Sequence, residues 1–99
     1  MAKSKHDKVA ERIARKQGVK YNRGPGVDIR NSRRVIEVES PNTISDAGKQ
    51  LQGHKKPAYV AVTDSKAIPK AIKRYAGTTV GVMGPSGKIV KRSTRGRKK

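Results

Sequence analysis

Seven carboxylates stand among 25 lysines and arginines in this chain, so each acid is a candidate for a specific task. They are Asp7, Glu11, Asp28, Glu37, Glu39, Asp46 and Asp64. Three of them are spaced for joint work. Glu37 and Glu39 alternate along Val35-Ile36-Glu37-Val38-Glu39, so in an extended strand both side chains share one face with Val35. Asp28 precedes them in Val27-Asp28-Ile29, across a turn at Asn31 and Ser32. A hairpin turning there brings the three together. Converging carboxylates repel unless a cation sits among them, and oxygen ligands of this kind suit Mg²⁺ or Mn²⁺. Such an ion polarises a phosphodiester and lowers the pKa of an attacking water. The competing reading pairs each acid with a neighbouring lysine or arginine on a solvated face.

The elements that must position these residues can be read from periodicity. Residues 4 to 17 read as a helix, with Ser4 and Asp7 making a box-like start and Gly18 a stop. Val9, Ala10, Ile13 and Ala14 form its apolar stripe. Arg23-Gly24-Pro25-Gly26 is turn chemistry, followed by the two hairpin strands. Pro41 ends the second, and a helix is expected from about Ser45 to Gly53. Ala58-Tyr59-Val60-Ala61-Val62 is an apolar run suited to a strand covered on both faces. Ser65 opens a further helix, with Pro69 in its first turn, Ile68, Ala71, Ile72 and Tyr75 on one face, and Gly77 at its end. Thr79 to Met83 and Lys88 to Arg92 read as a second hairpin around Gly84-Pro85-Ser86-Gly87. That turn, followed by Lys88, has the wrong glycine spacing for a phosphate loop, and a strand rather than a helix follows it. The expected fold class is α/β: a small mixed β-sheet with helices packed on its faces. Residues 1–91 form a single domain in this reading, and 92–99 a flexible basic tail.

Gly26-Val27-Asp28-Ile29 followed by Val35-Ile36-Glu37-Val38-Glu39-Ser40 resembles the core motif of the restriction-endonuclease-like superfamily. That motif is an Asp on one strand, then an acid, any residue and a Lys on the next. The N-terminal helix, with Glu11 and Arg12, resembles the opening helix of archaeal Holliday junction resolvases within that superfamily. Gln50 and Leu51, then the apolar strand 58–62, follow the same order. The resemblance implies a metal held by Asp28, Glu37 and the carbonyl of Val38, with Glu11 as the helical acid that some members add. Glu39 stands where the superfamily has Lys, which implies a general base or a further metal ligand in its place, or a member that binds without cutting. The resemblance also implies a homodimer.

The formal charge of +18 points to a polyanionic partner. No apolar run is long enough to span a membrane, and no N-terminal segment reads as a signal peptide. The chain is therefore expected in the cytoplasm with nucleic acid, DNA before RNA, as its partner. Arg23, Arg30, Arg33, Arg34, Lys91, Arg92, Arg95, Arg97, Lys98 and Lys99 are its candidate phosphate contacts. There are no cysteines, which excludes disulfides and thiolate zinc sites. His6 and His54 lack metal-ligand spacing and are expected on the solvated surface. Three scattered tyrosines give no stacking platform for single strands. Two functions remain open: a Mg²⁺-dependent endonuclease-like protein acting on duplex or branched DNA, and a non-catalytic basic protein of a ribosome or other nucleoprotein particle.

Overall fold

Ser4 starts the first helix, α1 (Lys5–Lys16), by accepting the Asp7 N–H on its hydroxyl at 3.1 Å. A computed structural model of the chain describes residues 4–22 and 27–95. Asp7 in the first turn and Arg15 and Lys16 in the last complement the helix dipole. Gly18, at φ 76°, closes the helix: its N–H bonds Arg15 O, and the Val19 N–H reaches back to Ala14 O. Only a residue free to adopt a left-handed conformation closes a helix this way without strain.

Strands β1 (Ile29–Arg30) and β2 (Val35–Glu39) form an antiparallel hairpin, registered Ile29↔Ile36 and Arg30↔Val35. Asn31 holds its turn by accepting the N–H groups of Arg33 and Arg34 on one side-chain oxygen. A 3-10 turn (Ile44–Asp46) runs into the short helix α2 (Ala47–Leu51). Strand β3 (Ala58–Val62) then pairs parallel with β2. Asp64 caps a second 3-10 turn (Ser65–Ala67), which leads into α3 (Ile68–Tyr75) with Pro69 at its start. Strand β4 (Gly81–Met83) pairs parallel with β3, and β5 (Ile89–Lys91) returns antiparallel along it.

The sheet order is β1-β2-β3-β4-β5, mixed as expected. Its two faces are covered separately. Val9, Ala10, Ile13 and Ala14 of α1 pack on Ile36, Val38, Tyr59, Ala61 and Met83. Leu51, Ala71 and Tyr75 of α2 and α3 pack with Val35, Val60, Val62 and Val82 on the opposite face. β3 lies in the middle and is buried along its whole length, as its unbroken apolar run requires. Among the described residues no helix is long and apolar enough to cross a membrane.

Several boundaries differ from the sequence reading, β4 and β5 being shorter than the expected 79–83 and 88–92. The strand expected at 27–29 pairs only from Ile29, so Asp28 stands just ahead of it. The helix expected from 45 to 53 is split between the 3-10 turn and α2, and ends at Leu51. The first residues of the basic tail expected from residue 92 are tied to the fold. Ser93 is 1% exposed, accepts the Ala58 N–H at 3.1 Å and donates to Thr79 O at 2.7 Å. Arg95 donates to Leu51 O at 2.6 Å, to His54 O at 3.3 Å and to the Thr79 hydroxyl at 2.9 Å. Buried backbone groups need partners, and residues 93 and 95 supply them at one end of the sheet. The remainder, 96–99, lies outside the described residues.

Candidate metal and nucleic-acid site

The candidate site begins with an unfinished hairpin. Along β2 the odd-numbered residues bond toward the β3 side: Val35 N–H to Pro57 O at 2.9 Å, and Glu39 O from Thr63 N–H at 3.0 Å. Val38 therefore turns its N–H and C=O toward β1. Pairing with β1 stops at Ile29↔Ile36, so no strand meets them. Side chains do instead. Asp28 Oδ2 accepts the Val38 N–H at 2.9 Å, and His6 Nε2 donates to the Val38 carbonyl at 2.7 Å. These two side chains meet, with His6 Nε2 3.4 Å from Asp28 Oδ2. Tyr21 backs the imidazole. Its hydroxyl lies 3.2 Å from His6 Nδ1 and donates to Asp7 Oδ1 at 3.1 Å.

Glu37 stands next to this arrangement and is 6% exposed. Burial pushes its carboxyl up to about 9, reinforced by the hydrogen bond and the like charge of Asp28 and by the charge of Glu39. Its Oε2 is buried with no hydrogen-bond partner. An unsatisfied buried oxygen is costly, and in a native site it calls for an explanation. Glu39 is also held above the ordinary carboxylate range, first by burial. The charges of Asp28 and Asp46 add to that rise, while the Thr43 hydroxyl and His6 oppose it. Among the described residues, no lysine or arginine is among the groups acting on Glu37 or Glu39. The acids thus act on one another, while the base that Asp28 meets and that acts on Glu39 is the His6 imidazole.

The structure brings Asp28, Glu37, Glu39 and the Val38 carbonyl into one neighbourhood. Glu11 sits further along α1, partly exposed, and the α1 side chain in contact with Asp28 is His6. Sequence reasoning placed His6 on the surface. The overlooked signal is its spacing: His6 precedes Val9, Ala10 and Ile13 by three, four and seven residues, which extends the apolar stripe by one turn.

The basic candidates differ in how far the fold engages them. Arg33 and Arg34 line a groove of about 600 Å³ with Lys16, Gln17 and Asn31. They also line a smaller one with Tyr59 and Arg92, where the Arg34 guanidinium lies 5.8 Å from the Tyr59 ring centre. Arg30 is exposed on β1. Lys91 and Arg95 are committed to the fold: Lys91 Nζ donates to Val80 O at 2.6 Å, and Arg95 bonds as described above. Arg23, Arg97, Lys98 and Lys99 lie outside the described residues.

Among the described residues no group of three or more His, Asp or Glu side chains encloses a metal position. Mg²⁺ does not require one, because it usually binds through one or two carboxylates and keeps several waters or takes phosphate oxygens. Asp28 and Glu37, with the unpartnered Oε2, fit that smaller donor set. No family model, curated protein or solved structure matches the chain.

Proposed function

We propose that the protein binds nucleic acid and carries an endonuclease-like site for Mg²⁺ or Mn²⁺ that acts on phosphodiesters of DNA, branched DNA included. The observation that carries this reading is the buried Asp28–Glu37 pair, with one Glu37 oxygen left without a partner. Two such carboxyls are a poor structural choice unless something positive is shared between them. Asp28 and Glu37 would hold the ion, and the bound ion would supply charge stabilisation at the phosphate and a more acidic water. Glu39 stands where the resembled superfamily has Lys. Its raised proton affinity makes it a stronger base than an ordinary carboxylate for the proton of the attacking water. Arg33, Arg34 and Lys16 hold the neighbouring backbone phosphates along their groove.

A second reading has its own support. Asp28 Oδ2 and His6 Nε2 both satisfy the Val38 backbone, which is a structural task. On that reading the protein is a basic nucleic-acid-binding component without catalysis. Cleavage of linear, branched and single-stranded substrates, with Mg²⁺ and with Mn²⁺, separates the two. The nuclease reading expects metal-dependent cleavage that Asp28→Asn and Glu37→Gln each abolish while binding persists. If wild type and Glu39→Lys are both inert on every substrate with both metals, the nuclease reading fails and the binding reading stands. Light scattering of the protein with and without a branched duplex tests the homodimer that the resemblance implies.

A further inference from the structure

The imidazole of His6 occupies a position that belongs, by its surroundings, to a cation. Its Nε2 lies 2.7 Å from the Val38 carbonyl oxygen and 3.4 Å from Asp28 Oδ2. A carbonyl and a carboxylate converging on one point form the kind of oxygen set a hard cation takes. Here an N–H group stands at that point. The ring is not there by chance packing, because its other nitrogen is backed by Tyr21, which is tied in turn to Asp7. His6, Asp7 and Tyr21 thus make a braced arm reaching from the first turn of α1 and the segment after it across to the open edge of β2.

We propose that His6 is a latch on the acid cluster: it stands in for the divalent ion when none is bound, and withdraws when Mg²⁺ or Mn²⁺ enters between Asp28, Glu37 and the Val38 carbonyl. The inference rests on the metal-site reading given above. Two features make withdrawal feasible. The His6 side chain is about one-third exposed, so it has solvent to move into. It also lies in the first turn of α1, before the stripe that anchors the helix to the sheet. The arm has a clear physical use. Without it, the Val38 carbonyl would be unpaired at the strand edge, and Asp28 would keep the Val38 N–H but face Glu37 with no imidazole beside it. The arrangement makes ion entry a competition with an internal donor. It does not make the ion a late addition to an empty hole.

Nitrogen-detected NMR of the two histidine rings in the full-length protein, titrated with Mg²⁺ alone, reads the latch directly. The expected result is a saturable shift of the His6 Nε2 signal as its hydrogen bond to Val38 is lost, with His54 unmoved as an internal control. Backbone amide signals of Val38 and its neighbours are followed in the same titration. If these amides respond and the His6 ring does not, an ion binds without displacing the latch, and the inference is overturned while the metal site survives. If neither responds to a large excess of Mg²⁺ or Mn²⁺, the metal-site reading itself falls, and the latch with it. Mn²⁺ affinity by electron paramagnetic resonance supplies the second measurement. His6→Ala is expected to bind Mn²⁺ about fivefold more tightly, the equivalent of one competing hydrogen bond of ~1 kcal/mol. His6→Gln, which keeps an N–H donor of similar reach, is expected to stay near wild type. Unchanged or weaker binding in folded His6→Ala would show that His6 supports the site instead of competing for it.

Discussion

At the scale of single residues, Glu37 dominates the chemistry because burial and Asp28 both oppose its charge. The consequence for stability has a definite sign. A carboxyl raised from 4.5 to about 9 binds its proton more tightly folded than unfolded. Between those values the folded state carries the extra proton, so stability falls as pH rises and levels off above about 9. Chemical denaturation from pH 5 to 9 is expected to show this decline, with a slope no steeper than ~1.4 kcal/mol per pH unit for one proton. Glu37→Gln removes that residue's share of the decline and leaves the share of Glu39, and saturating Mg²⁺ flattens the profile if an ion replaces the proton. A flat wild-type profile without metal would show that Glu37 is not strained in this way. Asp28 carries a separate structural burden, since Asp28→Ala strands the Val38 N–H and is expected to cost about 1–3 kcal/mol, whereas Asp28→Asn keeps an acceptor there. The acid trio was legible from alternation along one strand and a turn before it. His6 was less so, because its spacing extends the apolar stripe by a turn but does not say which groups its ring meets.

At the scale of elements, the central strand and its flanking helices were legible because they rest on strong local signals. An unbroken apolar run became β3, and the stripes at helical spacing became α1 and α3. The order of strands was not readable to the same depth, because pairing is a long-range choice that local pattern only restricts. The C-terminal segment is the clearest case. Lys91 to Arg95 looks like a solvated basic run in composition, yet Ser93 and Arg95 find backbone partners on residues far away in the chain. Truncation therefore has two expected outcomes. Removing residues 96–99 is expected to leave the thermal midpoint unchanged and to weaken binding to all nucleic-acid sequences alike. Removing 92–99 is expected to destabilise the fold severely, because it deletes the buried Ser93 and the three-acceptor anchor of Arg95. Ser93→Ala isolates part of this effect and is expected to cost about 1–3 kcal/mol by stranding the Ala58 N–H. Gly81 belongs to the same corner: a Cβ there would come within 2.5 Å of Lys91 O and of the Tyr59 ring, so Gly81→Ala is expected to push β5 from the sheet. Equal midpoints for the two truncations would show that residues 92–95 add nothing to the fold.

At the scale of the whole molecule, the +18 charge and the buried acids act against each other, and their balance sets how the protein meets a polyanion. Long-range attraction comes from the basic surface, and phosphate contacts release condensed counterions, so affinity is expected to fall linearly on a log–log plot against salt. Each phosphate neutralised contributes a slope of about −0.9 on duplex DNA. Exchanging Arg33 and Arg34 for glutamine together removes two cations from the wall shared by the two grooves. That variant is expected to bind more weakly at low salt and to show a slope shallower by up to about two. Arg95→Gln is the control, because its guanidinium is engaged by Leu51 O, His54 O and Thr79: stability is expected to drop while the slope of the folded protein changes little. Glu37→Gln tests the opposing part of the balance. With Glu37 held neutral near pH 7, its replacement by glutamine is expected to leave the low-salt affinity nearly unchanged without metal. Above pH 9, where wild-type Glu37 is charged, the same substitution is expected to strengthen binding. Fluorescence anisotropy on one duplex across salt and pH measures all of these variants on a common scale. A salt slope near zero for wild type would remove phosphate contact as the main source of affinity. An unchanged slope in the Arg33 and Arg34 double variant would move the binding face away from the hairpin turn and its grooves.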